Sequence, residues 1–272
     1  MEQTLDISLL GLLIGLALMG IPLYYFHKYR TGLVKSTIIA TARMIVQLVL
    51  IGLYLKYLFS YNIWYVNLLW GVIMCAVATF TCVGRTHIKR SILLVPVTVS
   101  FFTTALLISI YFLALVLQLQ ESLEIKLSFN LLFSARYFIP IFGLLLGNML
   151  GVNVLAITTY YESIRRERQM YDYMLGNGAT RREATAPFLS AAIRKAFAPC
   201  IANMMVMGIV ALPGTMIGQI LGGSDPNIAI KYQMMIVVIT FVASMVSLMV
   251  TVSLANRRSF DKYGRMKMVF GK

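Results

Sequence analysis

Long apolar runs alternate with short polar clusters along almost the whole chain. The runs fall near residues 7–26, 36–58, 64–83, 92–117, 131–159, 196–221 and 232–255. Each meets the roughly 20 residues that a helix needs to cross the hydrocarbon core of a bilayer. Lipid offers no water to unpaired backbone groups, so runs of this length predict helices and not open strands. A β-barrel would show short segments of alternating polarity, and the chain has none. The pattern predicts an all-α integral membrane protein, a polytopic bundle of about seven transmembrane helices in one membrane domain over 1–272. The first run follows the acidic flank MEQTLD and has no small-residue cleavage site after it, so it reads as a retained span.

One stretch interrupts the pattern. Residues 161–188 read YESIRRERQMYDYMLGNGATRREATAPF. Ile164, Tyr171, Met174 and Leu175 recur at near-helical spacing, while Glu162, Arg165, Arg166, Glu167 and Arg168 fill the other faces. Glu162 and Arg166 stand four apart in the favourable order for an ion pair. The GNG at 176–178 predicts a stop, because glycine accepts left-handed geometry. Thr180 followed by Glu183 matches a capping box and predicts a new helix near 181. The segment therefore predicts a helix–turn–helix between spans five and six. A basic amphipathic segment resting on anionic headgroups is the plainer alternative. It accounts for the arginines but not for the break and re-cap, which suit the docking of a partner.

Composition and charge add a side. Hydrophobic residues make up 59% of the 272 and charged residues 12%, against about 25% charged in soluble domains. Most Lys and Arg fall into four clusters: 28/30/35, 85/89/90, seven residues between 165 and 195, and six between 257 and 272. With seven spans all four share a face, which the positive-inside rule makes cytoplasmic. The N-terminus is then outside and the C-terminus inside. Lys56, Lys126 and Lys231 fall at the opposite ends, and Arg43 and Arg136 within spans. The net charge of +14 thus reads as a topology signal and an attraction to membrane lipid. It does not point to nucleic acid, since the basic residues flank spans instead of forming a domain. Cys75, Cys82 and Cys200 are odd in number and lie in apolar stretches, as reduced packing residues do.

The segment MLGNGATRREATAPF, followed by AFAPCIANMMVMGIVALPGTMIGQILGGSDPNIAIKYQ, resembles the iron-export and aluminium-resistance ABC permease family, the FetB-like proteins. The run ARMIVQLVLIGLYL at 42–55 is similar to that family's second span, and PGTMIGQILGG at 213–223 is the most specific part. The resemblance implies a permease subunit in the plasma membrane, most simply a bacterial inner membrane. It would work with a separate cytoplasmic ABC ATPase that binds ATP and Mg, and would move iron or another metal outward. The LGNGA segment also resembles the coupling loop of ABC importers, with Met170 where an acidic residue usually opens that loop. It points to Asp172, Leu175, Gly176, Gly178 and Arg181 as the residues that couple to the ATPase.

The residues support a two-component system on their own terms. The chain lacks GxxxxGK[ST], HExxH, GxSxG and paired carboxylates, so no catalytic residue is assigned, no cofactor is expected in this chain, and energy must come from a partner or an ion gradient. All ten acids (Glu2, Asp6, Glu121, Glu124, Glu162, Glu167, Asp172, Glu183, Asp225 and Asp261) fall outside the bodies of the spans. An ion-coupled secondary carrier would be expected to keep a carboxylate in its relay. The same absence sits awkwardly with a bare divalent cation, which prefers acidic oxygen ligands, and favours an anionic or complexed cargo. A seven-span receptor with the same topology remains a third reading.

Polar and breaking residues inside the runs suggest a path. Arg43 and Gln47 share a face of the second span, and Arg136 opens the fifth. Charges there face a bundle interior or wet cavity, or else snorkel to the interface. Pro213 and Gly214 break the sixth run, with Asn203 before them, Gln219 after them and Gln233 across the following loop; broken spans are tolerated where they line a cavity. Gly143, Gly147 and Gly151 form consecutive GxxxG steps, with Asn148 beside them. They mark a packing face, within the chain or in the homodimer that an ABC transporter requires. The 17 methionines fill gaps between helices or, as soft ligands, could meet a soft metal; no metal-ligand set is assigned.

Overall fold

The computed structural model describes residues 8–61, 63–118, 133–261 and 263–270. Lys126 and the acids Glu2, Asp6, Glu121 and Glu124 lie outside the described residues, as does the start of the fifth run. Ten helices follow one another among the described residues: α1 (Leu9–Ala17), α2 (Gly20–Lys28), α3 (Val34–Tyr61), α4 (Trp64–Thr86), α5 (Arg90–Gln118), α6 (Ala135–Arg166), α7 (Arg168–Gly176), α8 (Arg181–Val206), α9 (Gly214–Leu221) and α10 (Pro226–Ser259). Among the described residues, six stretches are long and apolar enough to cross a membrane: α1 with α2, α3, α4, α5, α6 and α10. The protein is an all-helical, multi-pass membrane protein.

Proline decides where two of the predicted runs break. The first run splits at Leu18 and Met19, which close short turns onto Gly15 and Leu16. Pro22 follows four residues after Leu18, has no N–H for that carbonyl and crowds it sterically. The predicted sixth run is not one helix either. It is carried by the second half of α8 and by α9, separated at 207–213. There the Gly208 N–H donates to Ala211 (2.9 Å), Gly208 takes φ +89, and Pro213 in extended geometry starts α9.

The last helix extends beyond its predicted 232–255 at both ends. Asp225 caps it by accepting from the Asn227 N–H (2.7 Å), and Pro226 occupies the first turn, where a missing donor costs nothing.

The core is built by α4, α5, α6 and α10, with α8 laid along α6. Against lipid there is little hydrophobic drive between helices, so close packing and buried hydrogen bonds must hold them. Both are present. Gly71 of α4 lets the Phe138 ring of α6 approach to 3.2 Å of where a Cβ would stand, and Phe138 packs on Phe133 and Phe142. Ser247 of α10 ties three helices: its carbonyl accepts from Ser100 of α5 (2.6 Å), and its hydroxyl accepts from the Asn153 amide of α6 (2.8 Å). The helices α1, α2 and α3 stand at the periphery, where α3 touches the core through the Tyr54 ring packed at a tilt on Trp70 (4.3 Å).

The contacts also order the ends of the bundle. Asn67 donates to the Phe133 carbonyl (2.7 Å), placing the first turn of α4 beside the start of α6. At the other end the segment after α10 returns to pair with the α4–α5 turn, through Ile88 with Phe270 and the Lys89 N–H with Val269 (2.9 Å). That end carries the basic clusters around 85–90, 165–195 and 257–267.

Candidate functional site

Two features stand out, one at the basic end and one within the membrane-facing body. At the basic end, α6 runs without interruption from its apolar span to Arg166. The chain breaks at Glu167 and forms the short α7, then turns and enters α8. The turn follows the expected chemistry: Gly176 ends α7, Asn177 caps it, and Gly178 takes φ +87. The capping box is complete, with Glu183 accepting from the Thr180 N–H (2.8 Å) and hydroxyl (2.7 Å) while Thr180 accepts from the Glu183 N–H (3.3 Å). These bonds hold the Glu183 carboxyl below the usual carboxylate range, the Thr180 hydroxyl contributing most.

The electrostatic details differ from the pairing that spacing suggests. Arg166 bonds to its neighbour Glu167 (2.8 Å) instead of Glu162. At the helix break Glu167 lies within easier reach of the guanidinium. Arg168 pairs loosely with Asp172 (3.4 Å) across one turn of α7.

Tyr171 and Leu175 point inward, and the side chains that meet them come from a segment that sequence reasoning left out. The residues after α10 fold back as a strap. The Tyr171 hydroxyl donates to the Gly264 carbonyl (2.6 Å), and its ring packs between Phe188 and Phe260. Gly264 takes φ +79 and lies against Leu175. Arg181 stands over the Phe260 ring, and Arg165 over Phe270 at 4.4 Å. Burial pushes the Tyr171 hydroxyl up to about 12, with the nearby Tyr160 adding to the shift. On the outer side of α7, Met170 and Tyr173 stay exposed, Tyr173 at 71%. The inner face of α7 is therefore fixed to the protein, and its outer face is free. Aromatic residues near the chain end at 260 and 270 were the available signal for the strap.

The second feature is a cavity of about 230 Å³ between α6, α8, α9 and α10. Asn148, Asn203, Thr215, Gln233, Thr240 and Ser244 give it a polar lining, with Phe197, Cys200, Met204 and Met207 beside them. Thr215 of α9 bonds to Gln233 of α10 (2.5 Å), so the short helix after the break is tied to the long one. The carboxylates stay away from it, and no group of three or more His, Cys, Asp or Glu that could hold a metal occurs among the described residues. The cavity can hydrogen-bond a cargo through amides and hydroxyls but offers it no charge.

Of the residues expected along a path, Asn203 lines this cavity, and Pro213 and Gly214 set the break beside it. Gln219 lies further along α9, outside the lining. Arg43 and Gln47 are exposed on the peripheral α3, and Arg136 is exposed in the first turn of α6. Among the GxxxG residues, Gly143 faces Met74 of α4, while Gly147 and Gly151 face open space. Thr215, Thr240 and Ser244 escaped sequence reasoning because single hydroxyls in an apolar helix commonly bond their own backbone, as Thr240 and Ser244 also do.

No solved structure matches the chain. The chain is 29% identical over 251 residues to the "Probable iron export permease protein FetB" of Escherichia coli (strain K12), covering 92% of each protein. It is 30% identical over 222 residues to the "UPF0014 membrane protein STAR2" of Oryza sativa subsp. japonica, covering 80% of this chain and 72% of that one. A shorter match, 33% over 104 residues and 38% of each chain, is to the "Protein ALUMINUM SENSITIVE 3" of Arabidopsis thaliana. Residues 9–260 match the family described as "Uncharacterised protein family (UPF0014)". With nearly the whole helical body inside that match, the chain belongs to the UPF0014 family of membrane proteins.

Proposed function

We propose that the chain is the permease subunit of an ABC exporter, driven by a separate ATP-binding subunit that docks on α7 at a cytoplasmic basic end. The observation that carries this reading is mechanical. The helix α8 runs unbroken from the turn after α7, at Arg181, to Val206 beside the cavity. At about 1.5 Å per residue such a helix spans roughly 39 Å. A push on the exposed face of α7 reaches the cavity through one continuous helix, with Pro187 and Pro199 as points of bending, and meets the break at 207–213.

The cycle then follows from two-state switching. Nucleotide binding closes the ATPase subunits and shifts α7, with the strap moving alongside it. The lower end of α8 follows, Asn203 moves relative to Thr215 and Gln233, and the cavity changes the side to which it opens. Two copies of the permease would enclose the path, each engaging one ATPase subunit. ATP and Mg belong to that partner, and this chain contributes no hydrolytic group.

Iron or another metal is the cargo that the FetB relative's name suggests. The amide and hydroxyl lining suits a metal carried within a ligand shell better than a bare divalent ion, which favours carboxylate oxygen. Everted vesicles containing the permease and its ATPase, given ATP in the external medium, are expected to accumulate iron supplied as a citrate complex. Uptake should survive an uncoupler and stop with a non-hydrolysable nucleotide. Uptake that follows the proton gradient and ignores ATP would identify an ion-coupled carrier instead.

A further inference from the structure

Four cations converge at the basic end, outside the 161–188 segment. Lys89 precedes α5, Arg257 and Arg258 close α10, and Lys267 lies on the returning strap. With Ser91 and Met268 they line one open concavity. Backbone bonds hold them there: the Lys89 N–H donates to Val269 (2.9 Å), and the Lys267 N–H donates to Ser259 (2.9 Å). Arg258 also reaches the Ser91 carbonyl (3.5 Å).

Like charges lining one concavity repel one another, and among the described residues no ion pair neutralises them. Among the described residues the ion pairs are Arg166–Glu167 and Arg168–Asp172, both elsewhere. Asp261, the acid nearest in sequence, accepts from the N–H groups of Tyr263 and Arg265 within its own turn. The fold thus assembles four positive charges from three segments and leaves room between them. The first turn of the 29-residue α5 adds its positive end to the same place.

We propose that this concavity is a binding site for a phosphate group, of the kind carried by an anionic phospholipid. Depth favours the lipid source. Ile92 begins the apolar run of α5, and Arg257 follows Ala255 by two residues at the end of the apolar part of α10. The cations therefore sit within one turn of the hydrocarbon level, where headgroup phosphates lie. None of them belongs to 161–188, so the site stands whether or not an ATPase docks on α7.

Native mass spectrometry of the detergent-purified chain would test this, with titration by phosphatidylglycerol, by phosphatidylcholine and, separately, by inorganic phosphate. The Arg257→Gln/Lys267→Gln pair should weaken phosphatidylglycerol retention roughly ten- to thirtyfold, the effect of two charges near a headgroup. The Arg30→Gln/Lys35→Gln pair, at another basic turn, should leave retention unchanged, as should the charge-keeping Arg257→Lys/Lys267→Arg pair. If the first pair does not purify as a single species, the exposed Lys267→Gln variant alone is read. Loss of inorganic phosphate binding in the same variants would support the site with free phosphate as its occupant. Equal loss in both Gln pairs, or unchanged binding of both probes in the pocket pair, would overturn the proposal. So would a pocket pair that keeps both probes but releases an acidic protein partner.

Discussion

The Tyr171 hydroxyl and the Gly264 carbonyl, 93 residues apart in sequence, meet in a buried hydrogen bond of 2.6 Å. This contact joins the inner face of α7 to the strap that follows α10, so α7 cannot move without the chain end. Removing the hydroxyl strands a buried carbonyl, which costs about 1–3 kcal/mol. Tyr171→Phe should lower the thermal midpoint in detergent and raise protease cleavage near Gly264. Gly264→Val should do at least as much, because φ +79 disfavours a branched side chain that would also press on Leu175.

The same contact predicts a dependence on alkali. Tyr171 in the unfolded chain ionises near 10, whereas burial raises the folded value to about 12. The folded state then keeps a proton that the unfolded state has lost. The contribution is whole below pH 10 and disappears as pH rises through 12. The difference in midpoint between the native chain and Tyr171→Phe should narrow across that window, measured by thermal unfolding in steps of pH.

The capping box at Thr180 and Glu183 makes an acid-side prediction. The Glu183 carboxyl is held below its ordinary value, so its contribution is present above that value and is lost as pH falls through the lowered one. Thr180→Ala should destabilise the start of α8 by about 1 kcal/mol. Amide exchange at residues 181–185, corrected for intrinsic rate, should rise in this variant at neutral pH. In the native chain it should rise only under acid.

Much of this architecture was legible in the sequence, for identifiable reasons. The runs at 36–58 and 64–83 contain no proline and became single helices, and the run at 92–117 did so with Pro96 inside α5. The turn at 176–178 and the re-cap at 180–183 are local events set by neighbouring residues, and both could be read directly. The strap could not, since its meaning depends on Phe260, Gly264 and Phe270 meeting Tyr171, Leu175 and Arg165 across the fold. The cavity was half legible: Asn203, Gln233 and the Pro213 break were visible, but only tertiary packing selects Thr215, Thr240 and Ser244 from the many hydroxyls in apolar helices.

The tie among Ser100, Asn153 and Ser247 should behave as a structural joint and not as part of the path. Ser247→Ala removes the acceptor of the Asn153 amide, at a cost near 0.6 and up to about 1.7 kcal/mol for such bonds in membranes. Detergent stability should fall while the ATP-dependent transport rate per folded molecule stays level. Gln233→Leu, which frees Thr215 and removes polarity from the cavity, should show the reverse pattern.

The proposed docking face of α7 offers the sharpest test. Met170 and Tyr173 are exposed on it and make no part of the inner packing with the strap, so a charge placed there should leave the fold intact. The decisive measurement is purification of the tagged chain from mild detergent, native and Tyr173→Asp in parallel, followed by ATPase assay. The account predicts that a P-loop ATPase accompanies the native chain, and that Tyr173→Asp releases or uncouples it without changing the thermal midpoint. An ATPase held equally by both chains, or no ATPase with either across several detergents, would contradict it.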